Sequence, residues 1–208
     1  MNKLILSVAF SLIMVTGAYA GPVSEVPQES WSTFQKGANE FEILAGAFWG
    51  VGNEGTPKRP DTGLGLGSLR YGWMLTDPVG DGIFRGNFEF LTGLFGGGVF
   101  EGPGSYLAGA DLVLRYNFVQ PQATVVPFFQ ISAGGVYSDI ASDDPVQGLL
   151  GSDWNFALGS SIGVRWMLSK RLALTTAFEY RHFSNAGATD RNRGYNALGG
   201  LVGLAWFY

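Results

Sequence analysis

The chain has 208 residues, 46% of them apolar, 14% aromatic and only 14% charged, with 32 glycines, one histidine and no cysteine. So little charge with so many aromatics excludes a disordered chain. The missing cysteines exclude a disulfide scaffold or thiolate metal site, and the lone histidine excludes a multi-histidine one. A net charge of −4 without any basic run argues against nucleic acid as the partner.

Residues 1–20 read as a secretory signal peptide: Lys3 supplies the positive start, Leu4 to Val15 the apolar stretch, and Ala18-Tyr19-Ala20 a small-x-small cleavage pattern. The apolar stretch is shorter than the roughly 20 residues of a spanning helix. Residues 21–39 are polar, contain two prolines and read as a periplasmic extension with little regular structure. From Glu40 to Tyr208 the chain alternates residue types with period 2, the strand signal. The expected strands are 40–50, 62–75, 82–95, 105–118, 124–137, 153–168, 171–184 and 194–208.

These strands have two chemically distinct faces. In 153–168 one face carries Trp154, Phe156, Leu158, Ile162, Val164, Trp166 and Leu168, the other Asn155, Ala157, Gly159, Ser161, Gly163 and Arg165. Three features point to lipid as the solvent of the apolar face. The strands exceed the usual five or six residues and suit a tilted crossing that needs about 9–11. Aromatics gather at strand ends, as interfacial girdles do. Long gaps (51–61, 96–104, 138–152, 185–193) alternate with short ones (76–81, 119–123, 169–170), as external loops alternate with periplasmic turns. The fold class expected is therefore all-β, an eight-stranded antiparallel transmembrane barrel in the bacterial outer membrane, with both termini in the periplasm. Eight strands leave an interior just wide enough for side chains. Glu42, Arg70, Arg85, Glu89, Asp111, Arg115, Arg165, Glu179 and Arg181 are expected there as ion pairs that plug the lumen.

Strand 171–184 carries the chemistry. Parity points His182 and Ser184 outward, at the external end of the lipid-facing surface, and points Glu179 and Arg181 inward. Asn196 falls on the same face and the same end of the next strand. Histidine beside serine supplies a base and a nucleophile for attack on an acyl carbon. Asn185, Ala186 and Gly187 follow, with the amide side chain and tightly turning backbone N–H groups that an oxyanion hole needs.

The run Arg181-His182-Phe183-Ser184-Asn185-Ala186-Gly187, then Asn192-x-Gly194-x-Asn196 and an aromatic C-terminus, resembles the PagL lipid A 3-O-deacylases, also described as acyloxyacyl hydrolase-like proteins. The resemblance is sharp near the C-terminus and otherwise one of architecture. It implies His182 as general base, Ser184 as nucleophile, and Asn185 with the Gly187 backbone at the oxyanion. It also implies lipopolysaccharide as the partner, hydrolysis of the 3-hydroxyacyl ester at the 3-position of lipid A, and no metal or organic cofactor; a homodimer is compatible with it. One position departs: the family's glutamate, two residues after the glycine matching Gly194, is Asn196 here. Asparagine orients a histidine in Cys-His-Asn proteases but carries no charge for the imidazolium. Asp190 is the nearest alternative acid. The competing reading is a non-enzymatic structural or adhesion barrel that binds through loops 51–61, 96–104 and 138–152. A soluble lipid carrier ranks lower, because its interior should be apolar.

Overall fold

A computed structural model of the chain describes residues 33–52, 61–143, 149–190 and 193–208; the signal peptide expected at 1–20 lies outside them. Eight strands close into an antiparallel barrel, each paired with its sequence neighbours and β1 with β8. They are β1 (Asn39–Gly50), β2 (Gly63–Met74), β3 (Asn87–Glu101), β4 (Tyr106–Asn117), β5 (Val125–Ser138), β6 (Trp154–Ser169), β7 (Leu172–Ser184) and β8 (Tyr195–Phe207). A single helical turn, α1 (Ile140–Asp143), follows β5. Closure leaves no unpaired strand edge, the condition for backbone to cross hydrocarbon.

Parity sorts the side chains as the alternation requires. Ile43, Leu69, Leu94, Leu112, Ile131, Leu158, Ile162, Phe178 and Val202 stand exposed on the outer wall. Rings gather toward both rims of that wall. Trp49 meets Phe100, and Tyr137 meets Tyr106 and Trp154, at the end away from the termini. Tyr71, Trp73, Phe90, Phe88, Tyr116 and Phe118 gather at the other end.

Three sequence expectations need correction. The third strand runs 87–101 rather than 82–95. Residues 82–84 instead form a 3-10 turn that starts at Gly82, which like Gly80 has positive φ, and a lone Val79–Gly86 bridge encloses it. The glycine run 96–98 reads as a loop but is strand. A Cβ on Gly97 would collide with the Gly65 carbonyl, so this glycine marks close strand approach rather than a turn. Loop lengths change accordingly: 75–86 at the terminal end is long, and 102–105 at the opposite end is short. The strict alternation of long and short connections therefore fails at these two places. The segment 96–104, read as an adhesion loop, is mostly wall.

The third correction concerns the lumen. Arg85 is not inside it; it sits after the 3-10 turn and donates to the Val119 carbonyl at 2.6 Å. Glu40, fully buried, is inside and was not among the expected lumen residues. The charged layer thus has four buried arginines (70, 115, 165, 181) against five buried acids (Glu40, Glu42, Glu89, Asp111, Glu179). Arg115 spans Glu40 at 2.9 Å and Glu42 at 2.7 Å. Arg165 contacts Glu40, Glu89 and Asn117. Arg181 pairs with Glu179 and Asp111, and Arg70 lies 3.8–3.9 Å from Glu179, Asp111 and Glu42.

The lumen is charged only across its middle. Above it Phe48, Leu64, Leu66, Phe95, Leu107, Leu149, Phe183 and Tyr195 form an apolar plug. Below it Phe34, Met74, Val119, Val126 and Phe207 form another. Phe34 belongs to the N-terminal extension, whose described part, residues 33–38, folds into the barrel mouth. The Phe34 carbonyl accepts from Asn87 Nδ2 at 2.7 Å, and its ring lies beside Phe207 and the Arg165 guanidinium.

Candidate active site

The antiparallel register of β7 and β8 sets His182 directly opposite Asn196 and Tyr180 opposite Leu198. His182, Ser184 and Tyr180 share the outer face of β7, while Glu179 and Arg181 are buried in the lumen. His182 Nδ1 lies 2.6 Å from Asn196 Oδ1. A carboxamide oxygen only accepts, so this contact places the proton on Nδ1 and leaves Nε2 as the basic nitrogen. Asn196 is held on two further sides. The Tyr180 hydroxyl donates to the same Oδ1 at 2.8 Å, and the Asn196 carbonyl accepts the Val51 N–H at 2.9 Å.

Gly194 closes the pocket around the imidazole. Its φ is +69°, and a Cβ there would lie 2.9 Å from His182 Cε1. Only glycine combines that conformation with that approach. In the sequence Gly194 stands out through its motif alone, and Tyr180 belongs to no motif. The legible signal for Tyr180 was its place two residues before His182 on one strand face.

Ser184 ends β7, half-buried, on the same side as His182. Its hydroxyl makes no hydrogen bond to His182 among the described residues. On β6 the outward side chains facing this pair are Phe156, opposite Ser184, and Leu158, opposite His182; they are 57% and 52% exposed. A hydrocarbon surface therefore borders the serine and histidine.

Immediately after β7, Asn185–Ala188 is a tight turn with positive φ at Ala186 (54°) and Gly187 (82°), closed by Ala188 N–H to the Asn185 carbonyl at 3.0 Å. Positive φ at two central residues is the type I′ arrangement, and at alanine it is strained. The buried Asn185 side chain braces this turn. Its Oδ1 accepts the Gly187 N–H at 3.0 Å, and its Nδ2 donates to Thr189 Oγ1 at 2.6 Å. The two candidate oxyanion donors thus bond within the turn. Asp190 is exposed in the same connection and makes no hydrogen bond or ion pair with His182. Among the described residues no three His, Cys, Asp or Glu side chains cluster as metal ligands.

A closed, charge-cored, eight-stranded barrel with an apolar outer wall and two aromatic girdles defines an outer-membrane β-barrel, here with a histidine–asparagine pair on its lipid-facing side. The chain belongs to the PagL lipid A 3-O-deacylase family, whose model matches residues 95–205, a span that includes every candidate site residue. Among solved structures it is similar to the outer membrane enzyme PagL, with 17% identity over 79% of this chain and 97% of that one and a TM-score of 0.52. It is equally similar to Neisserial surface protein A, with 14% identity over 83% and 98% and a TM-score of 0.53. At these identities the two structures show the shared barrel fold. No curated protein matches the chain. The protein is located in the bacterial outer membrane.

Proposed function

We propose that this protein is a lipid A deacylase working as a serine esterase, which removes the ester-linked 3-hydroxyacyl chain at the 3-position of lipid A in the outer leaflet. Family membership supports the coarser statement, hydrolysis of a carboxylic ester of lipid A. The observation that carries the mechanism is the 2.6 Å His182–Asn196 contact on the outer wall, two residues from Ser184.

The steps follow from the atoms present. Ser184 Oγ attacks the ester carbonyl while His182 Nε2 takes its proton, and Nδ1–H stays bonded to Asn196 Oδ1. The tetrahedral intermediate places its negative charge on the former carbonyl oxygen. Gly187 N–H, leaving Asn185 Oδ1, and Asn185 Nδ2, leaving Thr189 Oγ1, donate to it, so the hole assembles on substrate binding. Collapse breaks the C–O bond to the sugar, whose oxygen leaves with the proton from Nε2. Water, deprotonated by the same nitrogen, then attacks the acyl-serine and releases a free 3-hydroxy fatty acid. Phe156 and Leu158 offer the acyl chain a surface continuous with the hydrocarbon of the leaflet. Asn196 orients the imidazole but supplies no counter-charge to it, which makes the enzyme slower than one with a carboxylate there.

Purified, folded protein given lipid A of defined acylation tests the reading by tandem mass spectrometry. Loss of the 3-position chain with release of its 3-hydroxy fatty acid is expected. Release from another position would remove the regiochemistry and keep the esterase. Intact lipid A would leave a non-enzymatic barrel as the reading.

A further inference from the structure

We infer that Tyr180 is a positioning residue that fixes which end of the Asn196 carboxamide faces His182, and with it the tautomer of the base. The inference rests on the proposed esterase mechanism for its consequence, and on geometry alone for its content.

A carboxylate in the third position presents an acceptor whichever way it turns. A carboxamide does not, because its oxygen and nitrogen ends are nearly the same shape and opposite in hydrogen-bonding sense. With Oδ1 toward the imidazole, Nδ1 carries the proton and Nε2 is free to deprotonate Ser184. With Nδ2 toward the imidazole, Nδ1 must be the acceptor, the proton moves to Nε2, and the base is already occupied where it should act. Substituting asparagine for the family's glutamate therefore creates an orientation problem as well as a loss of charge.

Tyr180 supplies the asymmetry. Its hydroxyl lies 2.8 Å from Asn196 Oδ1, the atom that His182 Nδ1 approaches to 2.6 Å. Two donors converge on one oxygen, which has two lone pairs to receive them. A phenol is a good donor and, with its lone pair delocalised into the ring, a weaker acceptor than an alcohol. It therefore favours the carbonyl end of the amide over the NH2 end. The neighbourhood strengthens this preference. Tyr180 is on the lipid-facing wall one residue pair deeper than His182, where water is scarce and an unmet hydroxyl is costly. The other end of the carboxamide faces the Gly52 backbone: Nδ2 lies 3.7 Å from where a Gly52 Cβ would be.

Because the chain has one histidine, nitrogen-15 histidine spectra of the folded, tag-free barrel in micelles report this imidazole alone. Spectra are recorded well above the ordinary histidine pKa of about 6.5. The wild type is expected to show a protonated Nδ1 and an unprotonated Nε2. Tyr180→Phe, checked for heat-modifiable mobility as a folded barrel, is expected to shift a measurable fraction to protonated Nε2. An unchanged tautomer in Tyr180→Phe overturns the inference, whether or not the protein proves to be an esterase.

A second arm uses activity on lipid A. Tyr180→Phe is expected to lower kcat on the order of tenfold with little change in KM, the mark of an interaction that matters after binding. In an Asn196→Glu background, whose carboxylate has no wrong end, the same substitution is expected to cost at most about twofold. Equal losses in both backgrounds would show Tyr180 acting on substrate or fold instead.

Discussion

The backbone of Gly194 packs against the imidazole of His182, close enough that a Cβ would stand 2.9 Å from Cε1, while φ at this residue is +69°. The wall that holds the histidine is thus made of main chain, and side-chain truncation cannot relax it. Gly194→Ala is expected to displace the ring from Asn196 and to lower kcat by on the order of tenfold to a hundredfold. The barrel should stay folded, since the residue precedes β8. Steady-state kinetics beside heat-modifiability on gels separates the two effects; undiminished kcat would show that the contact has no bearing on the base.

The buried charge layer carries the second prediction. Removing one arginine leaves five buried acids facing three arginines in the lumen, and breaking a buried pair costs about 3–5 kcal/mol. Arg165→Met leaves Glu40 and Glu89 to share Arg115 as their one arginine partner and should lower the urea midpoint of unfolding from lipid vesicles. Glu89→Gln removes one of five acids facing four arginines and should be much milder. Equal losses would mean that charge balance is not what the layer requires. The same packing, closed above and below by apolar plugs, should give no stable conductance in planar bilayers.

Much of this was legible in the sequence, and the failures have physical causes. Period-2 alternation located all eight strands, and parity put His182, Ser184 and Asn196 on one outer face, because a strand has only two sides. The ends of β3 were not legible, since glycines 96–98 signal a loop as readily as close strand approach. Glu40 was missed because it sits at the start of a strand, where inside and outside are not yet separated by apolar neighbours. Phe34 lies in a segment without periodicity, and only tertiary packing shows it to be a plug. Tyr180 reads as one more girdle aromatic until its hydroxyl is seen on Asn196.

Phe34 yields the third prediction. Its ring is buried against Phe207 and beside Arg165, so Phe34→Ala should cost about 3 kcal/mol, as large aromatic truncations do. Deacylation measured on the folded fraction should be unchanged, because the site is at the opposite end of the barrel. A loss of activity without a loss of stability would contradict this placement.

Acid should loosen the external rim at a defined carboxylate. Partial burial alone would raise the pKa of Asp139, but the N–H groups of Ser105 and Tyr106, at 2.8 and 3.1 Å, outweigh it and hold the carboxyl below its usual value. A group with a depressed folded pKa contributes stability that is fully present above its unfolded value and is lost as pH falls through the folded one. Amide exchange at Ser105 and Tyr106 should therefore be slow at neutral pH relative to Asp139→Asn, with the difference vanishing in acid. A difference that persists in acid would exclude the carboxylate as the cause.

Ser184 on the outer wall is tested as the nucleophile by the lipid A mass profile of cells making either the wild type or Ser184→Ala, at equal levels of heat-modifiable barrel. Lipid A lighter by one 3-hydroxyacyl chain is expected in the wild type and full-length lipid A in the variant. The same mass loss in both would contradict it.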